Sequence, residues 1–163
     1  MKPAPRLLPL GLFAVMFFFM PQALAVAEAG NTLETRFATV RYTDEQELNG
    51  FIWRITGKRL AVQDSTDLLT NRVDELVERV ESLLEMYPTP LHFTIMLEPH
   101  YTNGAIAEYS HHTRTIAVKV DRVTDGVLAH EMAHAVMNAF FPVPPPEKAQ
   151  EILAQYVDAH LWA

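Results

Sequence analysis

Alternating apolar and polar residues mark four candidate strands along the chain. The alternation covers Thr35–Tyr42, Leu91–Leu97, Ala105–Tyr109 and Thr115–Val120. A period of two places successive side chains on opposite faces, so each segment is predicted to form a strand with one buried face. The last two segments are separated only by the polar stretch Ser110–Arg114, which predicts a β-hairpin.

Apolar residues at helical spacing predict two further elements. Ser65–Met86 carries one apolar stripe that runs from Leu69 to Leu84, with charged residues on the other faces, and prolines follow it. This pattern is typical of a surface helix that packs on a core. A final helix is predicted over Glu147–Trp162, directly after a run of prolines.

The segment Asp44–Ile55 fits two structures. Leu48, Phe51 and Ile52 follow a helical spacing that continues to Ile55, and Thr43 or Asp44 is a suitable N-cap. The aromatic and β-branched run 51–55 also fits a strand that turns at Gly57. The helical interpretation is favoured.

The segment Gly126–Phe141 is apolar on nearly every side. Within it the polar side chains are those of His130, Glu131, His134 and Asn138. A helix without a polar stripe is expected to be buried. Burying two imidazoles and a carboxylate without partners is costly, so these groups need compensation.

The spacing of the two histidines indicates what compensates them. Residues four apart lie one above the other on a helix, so His130 and His134 can bind one metal ion. Glu131 lies beside them in the H-E-x-x-H arrangement of zinc hydrolases, where the glutamate is the general base. The alternative is a buried helix whose histidines only form hydrogen bonds with neighbouring backbone.

A catalytic zinc ion takes three protein ligands and leaves one position for water. The last predicted helix offers Glu147, Glu151 and Asp158, which can share one face. From spacing alone, each of these carboxylates is a candidate third ligand.

The second helix contains the motif Glu151-Ile-Leu-Ala-Gln-Tyr156. Together with H-E-x-x-H, this motif resembles the gluzincin zinc peptidases of the peptidase-MA-like group. The resemblance implies one Zn²⁺ ion held by His130, His134 and Glu151, with Glu147 as the fallback ligand. It also implies a zincin-like α+β fold: a small mixed or antiparallel sheet with an edge hairpin, packed on a long backing helix, an active-site helix and a C-terminal glutamate helix.

The chain departs from the usual gluzincin pattern in two places. Ile152 stands where a glycine commonly follows the ligand glutamate, and Ala163 follows directly after the glutamate helix. Larger gluzincins carry a further C-terminal subdomain that closes the cleft. The resemblance therefore predicts a minimal member, with a possible partner chain completing the cleft.

The N-terminus predicts export. Residues 1–25 combine Lys2 and Arg6, an apolar run Leu7–Met20 and a small-residue cleavage site, which is the pattern of a signal peptide. An uncleaved anchor is the alternative. A flexible mature N-terminus is expected over 26–34 and one catalytic domain over 35–163, in a periplasmic or secreted protein.

Charge and cysteine content narrow the functional classes. Without residues 1–25 the chain has 11 basic and 20 acidic residues, a net charge of −9. This balance argues against nucleic acid and against acidic membrane surfaces as partners. The chain contains no cysteine, so disulfides and lipid attachment at cysteine are excluded.

These observations predict an exported zinc peptidase that acts on a peptide or protein substrate. An edge strand that begins with Gly104, Ala105 and Ile106 is expected to bind the substrate main chain. Asp158 and Asn138 are candidate partners for the second ring nitrogens of the histidines. The alternative is a zinc-stabilised binding or regulatory protein with the same fold and little or no turnover.

Overall fold

A five-stranded mixed sheet and four helices form the part of the chain that the structure describes. This computed structural model covers residues 30–57, 62–100 and 104–163, so the predicted signal peptide lies outside the described residues. The elements in chain order are β1 Asn31–Glu34, β2 Ala38–Tyr42, α1 Glu45–Thr56, α2 Val62–Leu84, β3 Phe93–Glu98, β4 Ala107–Ser110, β5 Thr115–Lys119, α3 Asp125–Phe140 and α4 Glu147–His160.

The sheet has the strand order β1-β2-β3-β5-β4. Strands β2, β3 and β5 are parallel to one another, whereas β1 and β4 are antiparallel edge strands. After β3 the chain passes to the outer edge as β4 and returns through the predicted hairpin as β5. The hairpin therefore places β4 at an edge of the sheet, where its outer side is not paired with another described strand.

One face of the sheet is buried and the other is largely polar. On β3, Phe93, Ile95 and Leu97 are buried while the intervening residues are more exposed. On β5, Ile116 and Val118 are fully buried. The predicted alternation is therefore confirmed on both strands, and this face forms the core with α1, α2 and α3.

The N-terminal part of the domain differs from the prediction. Residues 26–34 were expected to be flexible, but Asn31–Glu34 forms β1 and pairs with β2, Leu33 opposite Val40. Strand β2 begins at Ala38 instead of Thr35 because the Thr35 hydroxyl accepts hydrogen bonds from the N–H groups of Phe37 and Ala38. A threonine that bonds its own backbone in this way forms a turn.

The ambiguous segment 44–55 is a helix, so the strand alternative was wrong. The Asp44 side chain caps α1 by accepting hydrogen bonds from the N–H groups of Gln46 and Glu47. The helix ends at Gly57, whose positive φ of 71° is the left-handed conformation that glycine adopts without strain.

Helix α2 is confirmed with shifted ends. It begins at Val62, before the predicted Ser65, and stops at Leu84, before the predicted Met86. The stop is a left-handed residue at Glu85, φ 54°, after which the Met86 N–H donates to the Glu81 carbonyl. This closure is the Schellman pattern with glutamate in the usual place of glycine, which explains why no sequence signal marks it.

Helix α3 is the central helix of the domain. It begins after Thr124, whose hydroxyl accepts a hydrogen bond from the Val127 N–H. Its buried residues are Leu128, Ala129, Met132, Ala133, Ala135, Val136 and Met137. The helix packs against α2, α4, β4 and β5, which confirms that its nearly continuous apolar surface is enclosed.

Helix α4 is held at its C-terminal end by contacts with α2 and α3. The Trp162 indole N–H donates to the Asp125 carboxylate at 2.9 Å, and the Arg72 guanidinium reaches the same oxygen at 3.1 Å. Arg72 and Arg79 also lie over the Trp162 ring at 4.5 and 4.8 Å. These cation–π and polar contacts fix how α4 lies against α3.

The architecture agrees with the predicted α+β class, with an edge hairpin on a mixed sheet and the long helix α2 packed against α3. Within the residues described here, every helix is too short or too polar to cross a bilayer.

Phe51 tests the packing of α1 against the sheet. Its ring is fully buried in the core, so Phe51→Ala is expected to lower the free energy of unfolding by about 3–5 kcal/mol. Tyr87→Ala removes an aromatic side chain from a residue that is 62% exposed, and it should change the free energy of unfolding by less than about 0.5 kcal/mol. Urea denaturation followed by circular dichroism measures both. Equal losses in the two variants would contradict this packing.

Candidate metal centre

His130 and His134 lie one turn apart on the face of α3 that is turned towards α4. Their ring centroids are 5.2 Å apart. The side chains are 21% and 12% exposed, so they are largely enclosed but reachable from solvent. The helical spacing therefore places the two imidazoles side by side, as the sequence predicts.

Glu151 on α4 completes the cluster. One carboxylate oxygen lies 3.2 Å from His134 Nε2, and the other lies 3.5 Å from His130 Nε2. The three ligand atoms all fall within 4.8 Å of one another. A tetrahedral ion with bonds of about 2.0–2.1 Å holds neighbouring ligand atoms about 3.3 Å apart, so the group fits one metal ion.

The other two candidate carboxylates do not belong to this group. Among the described residues, the cluster that could hold an ion contains His130, His134 and Glu151. Glu147 lines the same cleft one turn earlier without joining it. Asp158 packs instead against Gly126: a Cβ atom added to this glycine would lie 2.4 Å from Asp158 Oδ1.

Gln150 orients His134. Its side-chain oxygen lies 3.3 Å from His134 Nδ1, and its amide nitrogen donates to the Pro145 carbonyl at 2.8 Å. Asn138 donates to the same Gln150 oxygen at 2.9 Å and to the His134 carbonyl at 2.7 Å. With Nδ1 donating to Gln150, Nε2 of His134 keeps its lone pair for a metal.

Sequence reasoning proposed Asn138 and Asp158 for this orienting role and missed Gln150. Asn138 acts one step further out, through Gln150. The sequence signal for Gln150 is weak because the contact joins two helices, and no spacing rule connects position 150 with position 134.

Glu131 is held by the edge strand. The Tyr109 backbone N–H donates to Glu131 Oε2 at 2.8 Å. The pKa of Glu131 is raised from 4.5 to about 7, chiefly by burial. The hydrogen bond from Tyr109 opposes this rise, and the charges of Glu151 and Glu108 contribute to it. The carboxylate is therefore fixed in orientation in a setting that is already crowded with negative charge.

His130 is in an environment that favours its neutral form. Burial lowers the pKa of His130, and the adjacent His134 lowers it further, although Glu151 and Asp158 act in the opposite direction. Neutral imidazole is the form that binds metals.

These side chains line a cleft of about 470 Å³. Its acidic members are Glu108, Glu131, Glu147 and Glu151. Carboxylates that repel one another in a partly enclosed space are stabilised by a bound cation. The negative charge of the cleft therefore favours a bound cation, as does the geometry of the His130, His134 and Glu151 side chains.

The edge of β4 faces this cleft. Hydrogen-bonding direction alternates along an antiparallel strand, and the Tyr109 N–H points away from β5 towards Glu131. Ala107, two residues earlier, therefore also directs its N–H and C=O outward. Ala105 and Ala107 line the cleft. The Ile106 carbonyl instead accepts a hydrogen bond from the Lys119 N–H on β5, and Gly104 is exposed. Substrate binding by residues 104–106 stays a prediction.

Comparison of the chain with protein-family models, with curated protein sequences and with solved structures found no match.

The assignment of the third ligand can be tested by comparing two glutamates of α4. Glu151→Ala is expected to weaken Zn²⁺ binding by more than about 100-fold, beyond the range typical of orienting groups, because it removes a ligand atom. Glu147→Ala removes a carboxylate from the same cleft and should change the affinity only slightly. Competition with a chromophoric chelator measures both. Greater loss in the Glu147 variant would reverse the assignment.

The role of Gln150 can be tested against Gln155, an exposed glutamine of the same helix. Gln150→Ala frees the His134 ring and is expected to weaken Zn²⁺ binding about 10- to 100-fold. Gln155→Ala should leave the affinity unchanged. An unchanged affinity in both variants would show that Gln150 does not orient the histidine.

Proposed function

We propose that this protein is a zinc-dependent peptidase that hydrolyses peptide bonds, a gluzincin with a zincin-like fold. The observation that carries the proposal is the approach of both histidine Nε2 atoms to the Glu151 carboxylate, with Glu131 fixed beside them by the edge strand. This places a metal-binding group, a candidate base and an unpaired strand edge in one cleft.

The donor set favours zinc. Two imidazole nitrogens and one carboxylate oxygen are the protein ligands of many catalytic zinc sites, which keep a further position for water. Zn²⁺ bound there would supply Lewis-acid activation of a water molecule and of the scissile carbonyl.

Glu131 provides the proton transfer. Its Oε2 atom is occupied by the Tyr109 N–H, and Oε1 has no hydrogen-bond partner among the described residues. Oε1 accepts the proton of the attacking water and delivers it to the leaving amine nitrogen. Because Tyr109 holds the carboxylate, little reorganisation accompanies the transfer.

The outer edge of β4 binds the substrate main chain. An extended peptide that pairs with β4 meets the N–H and C=O of Ala107 and the C=O of Tyr109. Such strand addition gives affinity through main-chain hydrogen bonds and little dependence on sequence. It also positions a peptide bond beside His130 and His134, since β4 packs against α3.

The N-terminal pattern of residues 1–25 supports a proposed location outside the cytoplasm, in a periplasm or in the medium. The acidic balance of the chain fits a peptide or protein substrate better than nucleic acid.

The general base is tested by Glu131→Gln. We expect this variant to retain Zn²⁺, because none of the three ligands changes, and to lose at least about 100-fold in the rate of peptide cleavage. Glu45→Gln, an exposed glutamate on α1, is the control and should cleave as the unchanged protein does. Mass spectrometry of a mixed peptide pool after incubation measures cleavage, and atomic absorption measures zinc.

The result also separates the peptidase from a binding protein. Stoichiometric zinc with peptide binding but without cleavage by the unchanged chain would overturn the proposed peptidase in favour of a zinc-stabilised binding protein.

A further inference from the structure

A second cavity of about 230 Å³ adjoins the metal cleft. Tyr109, His111 and Asn138 line both spaces. Tyr109, whose backbone N–H donates to Glu131, lines the second cavity as well as the cleft. The second cavity therefore begins at a residue that contacts the proposed base. A molecule bound along β4 in the cleft can therefore place a side chain or a chain end in this cavity.

The lining of the second cavity is opposite in charge to that of the cleft. Its one charged residue among those described is Arg114, and its described lining residues include no carboxylate. Its floor is apolar and includes Leu91, Phe93 and Ala135. Because the protein as a whole carries a net charge of −7, a cationic cavity beside an acidic cleft is unexpected from composition.

The backbone of Arg114 is held in place, and its side chain is exposed. Arg114 closes the turn between β4 and β5 with a φ of 52°, and its carbonyl accepts a hydrogen bond from the Thr94 N–H at 2.9 Å. None of the ion pairs found among the described residues includes Arg114. Its charge also acts on Tyr109: burial raises the pKa of Tyr109, and the positive charge of Arg114 lowers it. Arg114 thus lines the second cavity together with Tyr109, and it has no acidic partner among the described residues.

We propose that this cavity, the Arg114 pocket, binds a carboxylate of the peptide substrate next to the bond that is cleaved. This inference rests on the proposed peptidase function and adds a substrate class to it. The guanidinium of Arg114 pairs with the carboxylate, and the apolar floor packs against the methylene groups that carry it. Arginine suits this task because its planar group donates two parallel hydrogen bonds to one carboxylate.

The preference also follows from the cleft. The carboxylates around the metal group repel a negatively charged residue at the cleavage point itself. The cation at Arg114, in the adjoining cavity, provides a place where such a residue is stabilised. An acidic group is therefore directed to one side of the cleft, which sets the position of the peptide along β4.

Binding to the zinc-loaded Glu131→Gln protein tests the pocket independently of turnover. The probes are fluorescent random heptapeptide pools, acetylated and amidated, with Glu or Gln fixed at one position at a time. We expect the best Glu pool to bind about tenfold more tightly than its Gln counterpart, because the pair is a charge-assisted hydrogen bond. Fluorescence anisotropy gives the dissociation constants.

The variants assign the preference to Arg114. Arg114→Asn keeps a residue that tolerates positive φ and removes the charge, so it should bind Glu and Gln pools equally. Arg114→Lys keeps the charge without the planar group and should retain part of the preference. Arg41→Gln removes an exposed positive charge from β2 and should retain all of it.

A second pair of pools identifies the source of the carboxylate. Pools with free and amidated C-termini, and with no acidic residues, show whether a chain end is bound instead of a side chain. A tenfold preference for the free C-terminus that is lost in Arg114→Asn supports the pocket with a terminal carboxylate as its ligand.

The inference would be overturned if every Glu pool bound as its Gln counterpart does and free and amidated C-termini also bound equally. A preference that survives in Arg114→Asn would overturn it too. Because these measurements use binding alone, they separate the pocket from the peptidase proposal. Failure of the unchanged protein to cleave peptides rejects the peptidase, while the charge preference still decides the pocket.

Discussion

The position of α4 relative to α3 determines the chemistry of this domain. His130 and His134 occupy one helix and approach each other through local geometry alone, whereas Glu151 reaches them only because the two helices pack side by side. A shift of one residue along α4 would turn the carboxylate about 100° around the helix axis and away from both imidazoles. The cluster of His130, His134 and Glu151 is thus a feature of the tertiary structure, and it depends on the contacts that fix α4 against α3.

Contacts at both ends of α4 fix that pair. At its N-terminal end, Gln150 joins the proline-rich loop through the Pro145 carbonyl and joins α3 through Asn138. Beyond its C-terminal end, Trp162 donates to Asp125 at the start of α3 and lies under two arginines of α2. Glu151 lies between these anchors. Polar contacts at two separated points resist sliding and rotation, which apolar packing alone tolerates more readily.

The sequence predicted those parts of the site that depend on a helical repeat. The i, i+4 spacing of His130 and His134 and the next-residue position of Glu131 are local, and so is the alternation on β3 and β5. Helical spacing alone left Glu147, Glu151 and Asp158 as candidates, because the rotation of one helix about another is set by packing across the core. Gln150 and Arg114 were missed for the same reason, since each acts through elements far away in the chain. The choice of Glu151 came from the resemblance of its motif to the gluzincins. β1 was missed because its exposed residues lack a clear alternating pattern.

The β4–β5 hairpin connects the proposed base with the proposed recognition of substrate. Its register places Ala107 in the core and Glu108 in solvent, and the same register turns the Tyr109 N–H outward to Glu131. A slip by one residue would bury Glu108, expose Ala107 and direct the Tyr109 N–H towards β5. The cost of burying an unpaired carboxylate therefore protects the orientation of Glu131. Because Arg114 closes the same hairpin, its distance from Glu131 is set by that register too. The edge proposed to hold the peptide would therefore also fix the spacing between the proposed base and the proposed carboxylate site.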